Sequence, residues 1–322
     1  MSSMNVLDAG SLFAGAVQMF VAPVDRASGV PVAFDPAATG RFDVSAVPAG
    51  WLRVGAVPEV SRSVGERVLP VWSGAPAMVK SQVRGRVEEV VAVTFPGWTR
   101  VAIALSSGLQ TMNLLKTANG AAANASGGAA GTGDVVQAGS TATALQLGAA
   151  TTVQAGDVLV VDADYTGAAG YVGSGIAGAY VASASSFTDV DFARRVSFNV
   201  ARVLSVSAGV VTLADALPAG VPEAGMKACV VQGFTDRNGG SFLQEWSALF
   251  VMDGVQGDRL VLHYPRLQPA GDGTAEVCAE IAAGVLRWRP VARMRAMPVL
   301  DANDGVAAVC FRSYLPAPMR RV

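Results

Sequence analysis

Ser247-Ala-Leu-Phe-Val-Met252 followed by Arg259-Leu-Val-Leu-His-Tyr264 is the stretch whose reading decides the fold. Each run is mostly apolar. Asp253, Gly254, Gln256, Gly257 and Asp258 lie between the two and supply turn chemistry. Short apolar runs bounded by such residues read as consecutive strands of a sheet. Pro265 stops the second run. Residues 285–297 read as a further strand, Asn303-Asp304-Gly305 as a turn, and residues 306–314 as a last strand. Nothing between 247 and 314 has the pattern of a catalytic constellation. The expectation is a protein that works by assembling, with this sheet as the assembly element.

Outward from that stretch the chain stays β-like. Residues 16–22 read as a first strand, 25–29 as a turn, 36–50 as a loop, and 51–58 as a strand broken at Pro58. Residues 59–70 read as a mixed polar segment. Residues 77–95 form a long alternating run, and a period of two puts Val83, Gly85 and Val87 on one face and Arg84, Arg86 and Glu88 on the other. Val91, Val93 and Phe95 continue the apolar side until Pro96-Gly97. Between 100 and 115 the pattern changes. Val101, Ala104, Leu105, Gly108, Leu109, Met112 and Leu115 recur at three- and four-residue steps, which predicts an amphipathic helix, weakened at Gly108 by about 1 kcal/mol relative to Ala.

Residues 116–139 are almost all Ala, Gly, Asn, Ser and Thr. Such a segment buries too little apolar area to offset its ordering entropy, so a flexible linker is expected. Strand-like runs follow at 141–147 and 153–161, then a Gly/Ala-rich loop at 166–178. A hairpin is expected from 196–207 through Ala208-Gly209 to 210–213, with 217–222 closing the unit. The reading is a discontinuous β core, 1–116 with 234–322, carrying an inserted small β-barrel module at 117–233. Insertions of this kind succeed at exposed loop tips.

The composition sets limits. Of 322 residues, 51% are hydrophobic and only 15% charged, against roughly 25% charged in an average domain. Mean hydropathy is +0.40, yet no apolar run approaches the roughly 20 residues that cross a bilayer. Either a large core or surface covered by sister copies explains so few charges; obligate interfaces resemble a core cut in half. A net charge of -1 gives no field to draw nucleic acid or anionic lipid. Residues 1–5 lack the basic region of a secretory signal, and Gln18 interrupts the apolar segment 12–22. Cys229, Cys278 and Cys310 are widely spaced and odd in number, as expected of buried thiols in a reducing cytoplasm.

Candidate chemistry is sparse. His263 is the only histidine and has no partner for a metal or a general base, so it reads as structural. The glycines of 127–131 and 170–175 lack the Gly-Lys-Ser/Thr of a phosphate loop. Asp157, Asp162, Asp164, Asp189 and Asp191 lack EF-hand spacing and read as turn and strand-edge residues rather than a calcium site. No catalytic, cofactor or metal site is expected, and the chain does not read as an enzyme. Arg287, Arg289, Arg293 and Arg295 fall on one face if 285–297 is extended, and Pro290 argues for an edge or a bulge. Three readings stay open for that stripe: pairing with carboxylates of a neighbouring subunit, contact with a polyanion such as DNA, or a solvated face paired internally with Glu88 or Glu89.

Three stretches in order carry a resemblance. Trp51-Leu-Arg-Val-Gly-Ala-Val-Pro-Glu-Val60 is one; residues 87–115, with Val91-Ala-Val-Thr-Phe95 ahead of the helix, are the second. Asp258-Arg-Leu-Val-Leu-His-Tyr-Pro-Arg-Leu267 with 286–296 and 306–316 is the third. Together they resemble the major tail tube proteins of long-tailed bacteriophages, over about 10–116 and 235–316; the insertion at 117–233 departs from the simplest family pattern. The resemblance implies a mainly β protein: a β-sandwich core flanked by one short helix. It implies hexameric rings stacked into a tube, assembled in the host bacterial cytoplasm and located in the virion tail. It also implies a tape measure protein inside, terminator and tip proteins at the ends, and DNA that passes without specific binding. Other virion components (a head–tail connector, a baseplate or a decoration protein) form the competing class; a secreted glycan-cleaving β-protein or an adhesin is a more distant one.

Overall fold

The computed structural model describes residues 12, 13, 15–26, 28–116, 133–163, 170–172, 175–181, 192–236, 243–271 and 276–317. In chain order, β1 (Val17–Pro23) leads through one helical turn, α1 (Pro36–Thr39), to β2 (Leu52–Val57). Two long strands follow, β3 (Glu59–Ser73) and β4 (Met78–Thr94), then the helix α2 (Arg100–Ser107). A second group begins with β5 (Met112–Leu115) and continues through β6 (Asp134–Val135), β7 (Ala144–Gln146), β8 (Val158–Asp162) and the pair β9 (Gly170–Val172) and β10 (Ala179–Val181). The helix α3 (Phe192–Val196), β11 (Val200–Ser207), β12 (Val210–Leu213) and β13 (Lys227–Thr235) complete it. The chain then returns to the first group with β14 (Trp246–Asp253), β15 (Arg259–Pro269), β16 (Glu276–Ala282), β17 (Val285–Ala296), β18 (Val299–Leu300), β19 (Ala307–Ala308) and β20 (Phe311–Leu315). The protein is mainly β, and its pairings are antiparallel.

The first sheet has the order β2-β1-β14-β15-β17-β4-β3, with β20 also on β15 and β16 on β17. β2 and β3 stand at opposite ends of that order, yet only Pro58 separates them in the chain. Two virtual bonds span at most about 7.6 Å, so the two ends of the sheet must meet. The sheet therefore curls around a core of Met19, Val21, Val91, Val93, Phe250 and Met294, plugged by Ala102, Ala104 and Leu105 of α2. The alternate residues of β1 and β14 point the other way. Phe20, Ala22, Leu249 and Val251 pack beneath Phe42 and Trp51, supplied by the loop ahead of β2. Burial on both faces is why 247–252 is a continuous apolar run rather than an alternating one.

Three local expectations change. α2 stops at Ser107, because Gly108 takes a left-handed conformation (φ 65°) and its N–H donates to Ala104 O at 3.0 Å. Met112 and Leu115 lie beyond that cap in β5, which pairs with β13. Gly108 is also a close-approach site: a Cβ there would fall 2.0 Å from Pro269 Cγ. Pro265 does not end β15. It falls in the register shift between the pairs Ala248–Tyr264 and Trp246–Leu267, a bulge that tolerates a residue without an N–H. Residues 59–70 are most of a strand, β3, rather than a mixed polar segment.

The second sheet has the order β5-β13-β8-β11-β12-β7, with β6 on β13. Gln137 N–H donates to Gln146 O (2.8 Å), tying the β6 side back towards β7. Its own core holds Val136, Leu145, Leu159, Val161, Val203 and Val211. Residues 117–132, most of the expected linker, lie outside the described residues. The two sheets meet at α3. Arg100 donates to Val196 O (3.2 Å), Ser197 O (2.6 Å) and Thr111 O (3.0 Å), and lies over the Phe198 ring at 4.1 Å. Asn113 adds bonds to Arg194 O (2.8 Å) and Ser197 O (2.9 Å). All but Thr111 O are carbonyls that the end of α3 leaves without intrahelical partners. Burial lowers the Arg100 pKa to about 9, which leaves it charged at neutral pH. Arg100→Met keeps the stem and strands Val196 O and Thr111 O, while Asn113 still serves Ser197 O, so it lowers unfolding free energy by about 3 kcal/mol. Urea midpoints of the two proteins check this, and an unchanged midpoint contradicts it.

Candidate functional site

β17 pairs with β4 only from Val90 to Thr94. β3 is the last strand of the sheet and pairs only with β4. Beyond Val90 the β3–β4 hairpin therefore leaves the sheet as a two-stranded arm. Among the described residues no strand pairs with either outer edge of it. From Val90 to Met78 the arm reaches roughly 40 Å at about 3.3 Å per residue.

Both faces of the arm are in water. β3 is exposed or half-exposed at every position, and β4 is exposed from Met78 to Val87. Opposed residues of an antiparallel pair point the same way, so the register assigns the faces. The expected alternation does not hold through residues 77–88, because β4 carries one extra residue at each of two bulges. One falls between the pairs Arg67–Arg86 and Val68–Arg84, the other between Val71–Ser81 and Trp72–Val79. Each extra residue inverts the side on which the next ones emerge. Val83 stands opposite Leu69 while Val87 stands opposite Glu66, so these two valines occupy different faces. Val68, Pro70, Trp72 and Val79 share one face of the outer arm; Leu69, Val71, Met78 and Val83 share the other. Trp72 is 60% exposed and Met78 66%. Apart from Lys80, which stands exposed in the outer arm, the charged side chains lie closer to the root, where Arg84 pairs with Glu66 at 3.3 Å and Arg86 with Glu88.

The root is fastened by a buried carboxylate. Glu89 is 2% exposed. Arg62 grips it with two nitrogens, Nη2 lying 2.9 Å from Oε2, and the Tyr264 hydroxyl donates to Oε1 at 2.6 Å. Burial pushes this carboxyl up, but the bonds from Arg62 and Tyr264 outweigh it and hold the pKa below the ordinary value. β3, β4 and β15 are thereby tied together where the arm departs.

The opposite end of β4 carries an aromatic patch. Pro290 O accepts from Phe95 N–H (3.0 Å), so β17 beyond Pro290 continues past the end of β4. There Trp98 lies 6.5 Å from Trp288 and 6.3 Å from Phe234, ring centroid to centroid, and is 58% exposed. Trp98 comes from the turn between β4 and α2, Trp288 from β17 of the first sheet and Phe234 from β13 of the second.

Arg287, Arg289, Arg293 and Arg295 are all exposed, and Ala292, Met294 and Ala296 between them are buried. The inner and outer pairs have different surroundings. Arg293 and Arg295 sit where β17 pairs with β4, while Arg287 and Arg289 pair with β16 beyond Pro290. Glu88 is held below its ordinary pKa first by the Arg86 hydrogen bond, with Arg295 adding charge. Glu89 belongs instead to Arg62 and Tyr264.

The other candidates have ordinary surroundings. His263 is buried between Trp51 and Phe311, with Nε2 3.3 Å from Ser247 Oγ. Burial lowers its pKa to about 4. Burial also pushes the thiols of Cys229 and Cys310 up, and Cys229 Sγ accepts from Arg194 at 3.2 Å. The Cys278 side chain lies outside the described residues. Asp157 accepts from Gln154 N–H (2.8 Å) and Asp162 from Ala163 N–H (2.7 Å), both local turn contacts. Asp164, Asp189, Asp191 and the glycines of 127–131 lie outside the described residues, while Gly170 opens β9. Among the described residues no three His, Cys, Asp or Glu side chains could hold a metal. No described helix is long and apolar enough to cross a membrane. No protein-family model matches the sequence, and no curated protein is similar enough to name as a relative.

His263 and Glu89 make stability acid-sensitive in separate windows. His263 has a folded pKa of about 4 against an ordinary value of 6.5, so the unfolded chain takes up a proton first as pH falls. Its contribution is complete above about pH 6.5 and lost between 6.5 and 4, by about 3 kcal/mol at most. Glu89, with a depressed folded pKa, adds a further loss only below its unfolded value of about 4.5. In His263→Gln the loss between pH 6.5 and 5 disappears and the lower window remains. Urea midpoints at pH 7, 5.5 and 4 test this; a variant that tracks the parent from 7 to 5.5 contradicts it.

Proposed function

We propose that this chain is a structural virion protein, a phage tail tube subunit that assembles into stacked rings and so forms the conduit for genome delivery. The observation that carries the reading is the arm. A two-stranded ribbon is marginal in water on its own, and this one leaves both edges and two apolar faces open. Unpaired edges and exposed apolar strips are features that soluble monomers suppress, and sister copies that cover them explain their presence. The low charged content, 15%, fits the same reading.

The order of the strands favours open-ended association. Arm and aromatic patch leave the sheet at opposite ends, so a contact between them is head-to-tail. Such contacts close into rings or propagate, according to their rotation. A tape measure protein would lie within the resulting lumen, terminator and tip proteins at its ends. DNA that slides needs a wall that does not neutralise its phosphates, because phosphate neutralisation gives tight, salt-sensitive binding. The four arginines therefore belong at subunit contacts rather than in the lumen.

Electron microscopy of the purified protein is the first test, and open tubes are expected. A single closed ring would favour a connector, and a monomer at high concentration would end the reading. Replacing residues 66–87 by a two-residue turn should leave the thermal midpoint within a few degrees and abolish tubes. Arg287→Glu with Arg289→Glu should also disrupt assembly; normal tubes with altered DNA release would contradict an interface role.

A further inference from the structure

We infer that the outer arm of one subunit seats on the Trp98–Trp288–Phe234 patch of a second copy. The inference rests on the assembly reading above and identifies the two surfaces that would meet.

The occupant follows from distance. Met78 opens β4 and Trp98 lies just past its end. Sixteen residues of extended chain separate Met78 from Thr94, roughly 50 Å at about 3.3 Å per residue. The strand that carries both sites holds them apart, so the arm of a subunit does not reach its own patch. A second copy displaced along the strand direction brings them together, and each such copy presents a free arm and a free patch in turn.

The chemistry agrees. On the outer arm the large apolar side chains stand between 42% (Val71) and 66% (Met78) exposed, and exposed apolar strips of this kind mark interaction surfaces. Trp72 and Met78 lie at the outermost part of the arm, the part with the longest reach. A thioether and an indole against a partly exposed aromatic cluster make favourable sulfur–ring and ring–ring contacts. The patch draws on both sheets, through Trp288 of β17 and Phe234 of β13, with Trp98 of the turn after β4 between them. An arm seated there would therefore touch both sheets of its neighbour.

The test uses full-length protein with Met78→Cys and Trp98→Cys made separately and together. The double variant, oxidised under assembly conditions, is expected to give a ladder of covalent oligomers. The two single variants mixed are expected to give dimers that neither gives alone. Efficient dimers of Met78→Cys alone would place arm against arm and overturn the inference. Trp98→Glu, with an unchanged thermal midpoint, should reduce assembly at least tenfold at a fixed concentration. Assemblies that form normally in Trp98→Glu and show no 78–98 cross-link would overturn the arm–patch contact while leaving assembly standing. A parent protein that forms no assemblies would overturn both.

Discussion

The first sheet depends on a one-residue step. Pro58 joins β2 to β3, the two ends of the strand order. A step that short forces the ends together, and once they meet the interior must be filled. That explains why α2 brings a nearly continuous row of buried residues, Ala102 to Ser106, into the curl. It also explains why the loop before β2 folds down to cover the other face with Phe42 and Trp51. The curl is set by chain connectivity, and the packing follows from it.

The same step determines where the arm goes. β3 begins beside β4 at the join, with Glu59 opposite Thr94, and runs with β4 for fifteen residues. Only the first few pairs lie over the core. A long ribbon on a short base needs a firm root, and the Arg62–Glu89–Tyr264 group supplies it. A carboxylate at 2% exposure would be costly alone. Here a bidentate guanidinium and a phenol satisfy it, and the bonds cross three strands. The root is fastened by polar groups; the outer arm is mostly apolar, Lys80 excepted, and is uncovered by its own chain.

The parts of the fold that the sequence made legible are those where burial constrains side chains on at least one side. β14 was readable because both faces are buried and the run is apolar throughout. The odd–even alternation of β17 was readable from 290 to 296, since Ala292, Met294 and Ala296 face the core. β3 was not, because neither of its faces is buried by its own chain, so nothing ties its sequence to a period. Single extra residues in β4 then inverted the faces of residues that simple alternation had grouped. Met112 and Leu115 suit either a helical step or a strand, and the left-handed turn at Gly108 decides between them. The aromatic patch was invisible for a different reason: Trp98, Phe234 and Trp288 are far apart in sequence and meet only through the pairing of two sheets.

These failures share a physical cause that bears on function. Sequence pattern reports what a chain buries against itself. A segment whose cover comes from another molecule carries apolar residues without the period that its own core would impose. β3 and the outer half of β4 have that character: valines, a leucine, a methionine and a tryptophan spread over both faces of an exposed ribbon. Where a core strand is buried on one face, as β17 is from 290 to 296, the period of two holds, and β14 departs from it only because both its faces are buried. A solvated ribbon would be expected to carry charges on at least one face, as it does near the root, where Arg84 meets Glu66 and Arg86 meets Glu88. Along this single hairpin the side chains change from ion pairs near the root to mostly apolar ones further out, Lys80 excepted, and the proposed assembly accounts for that change.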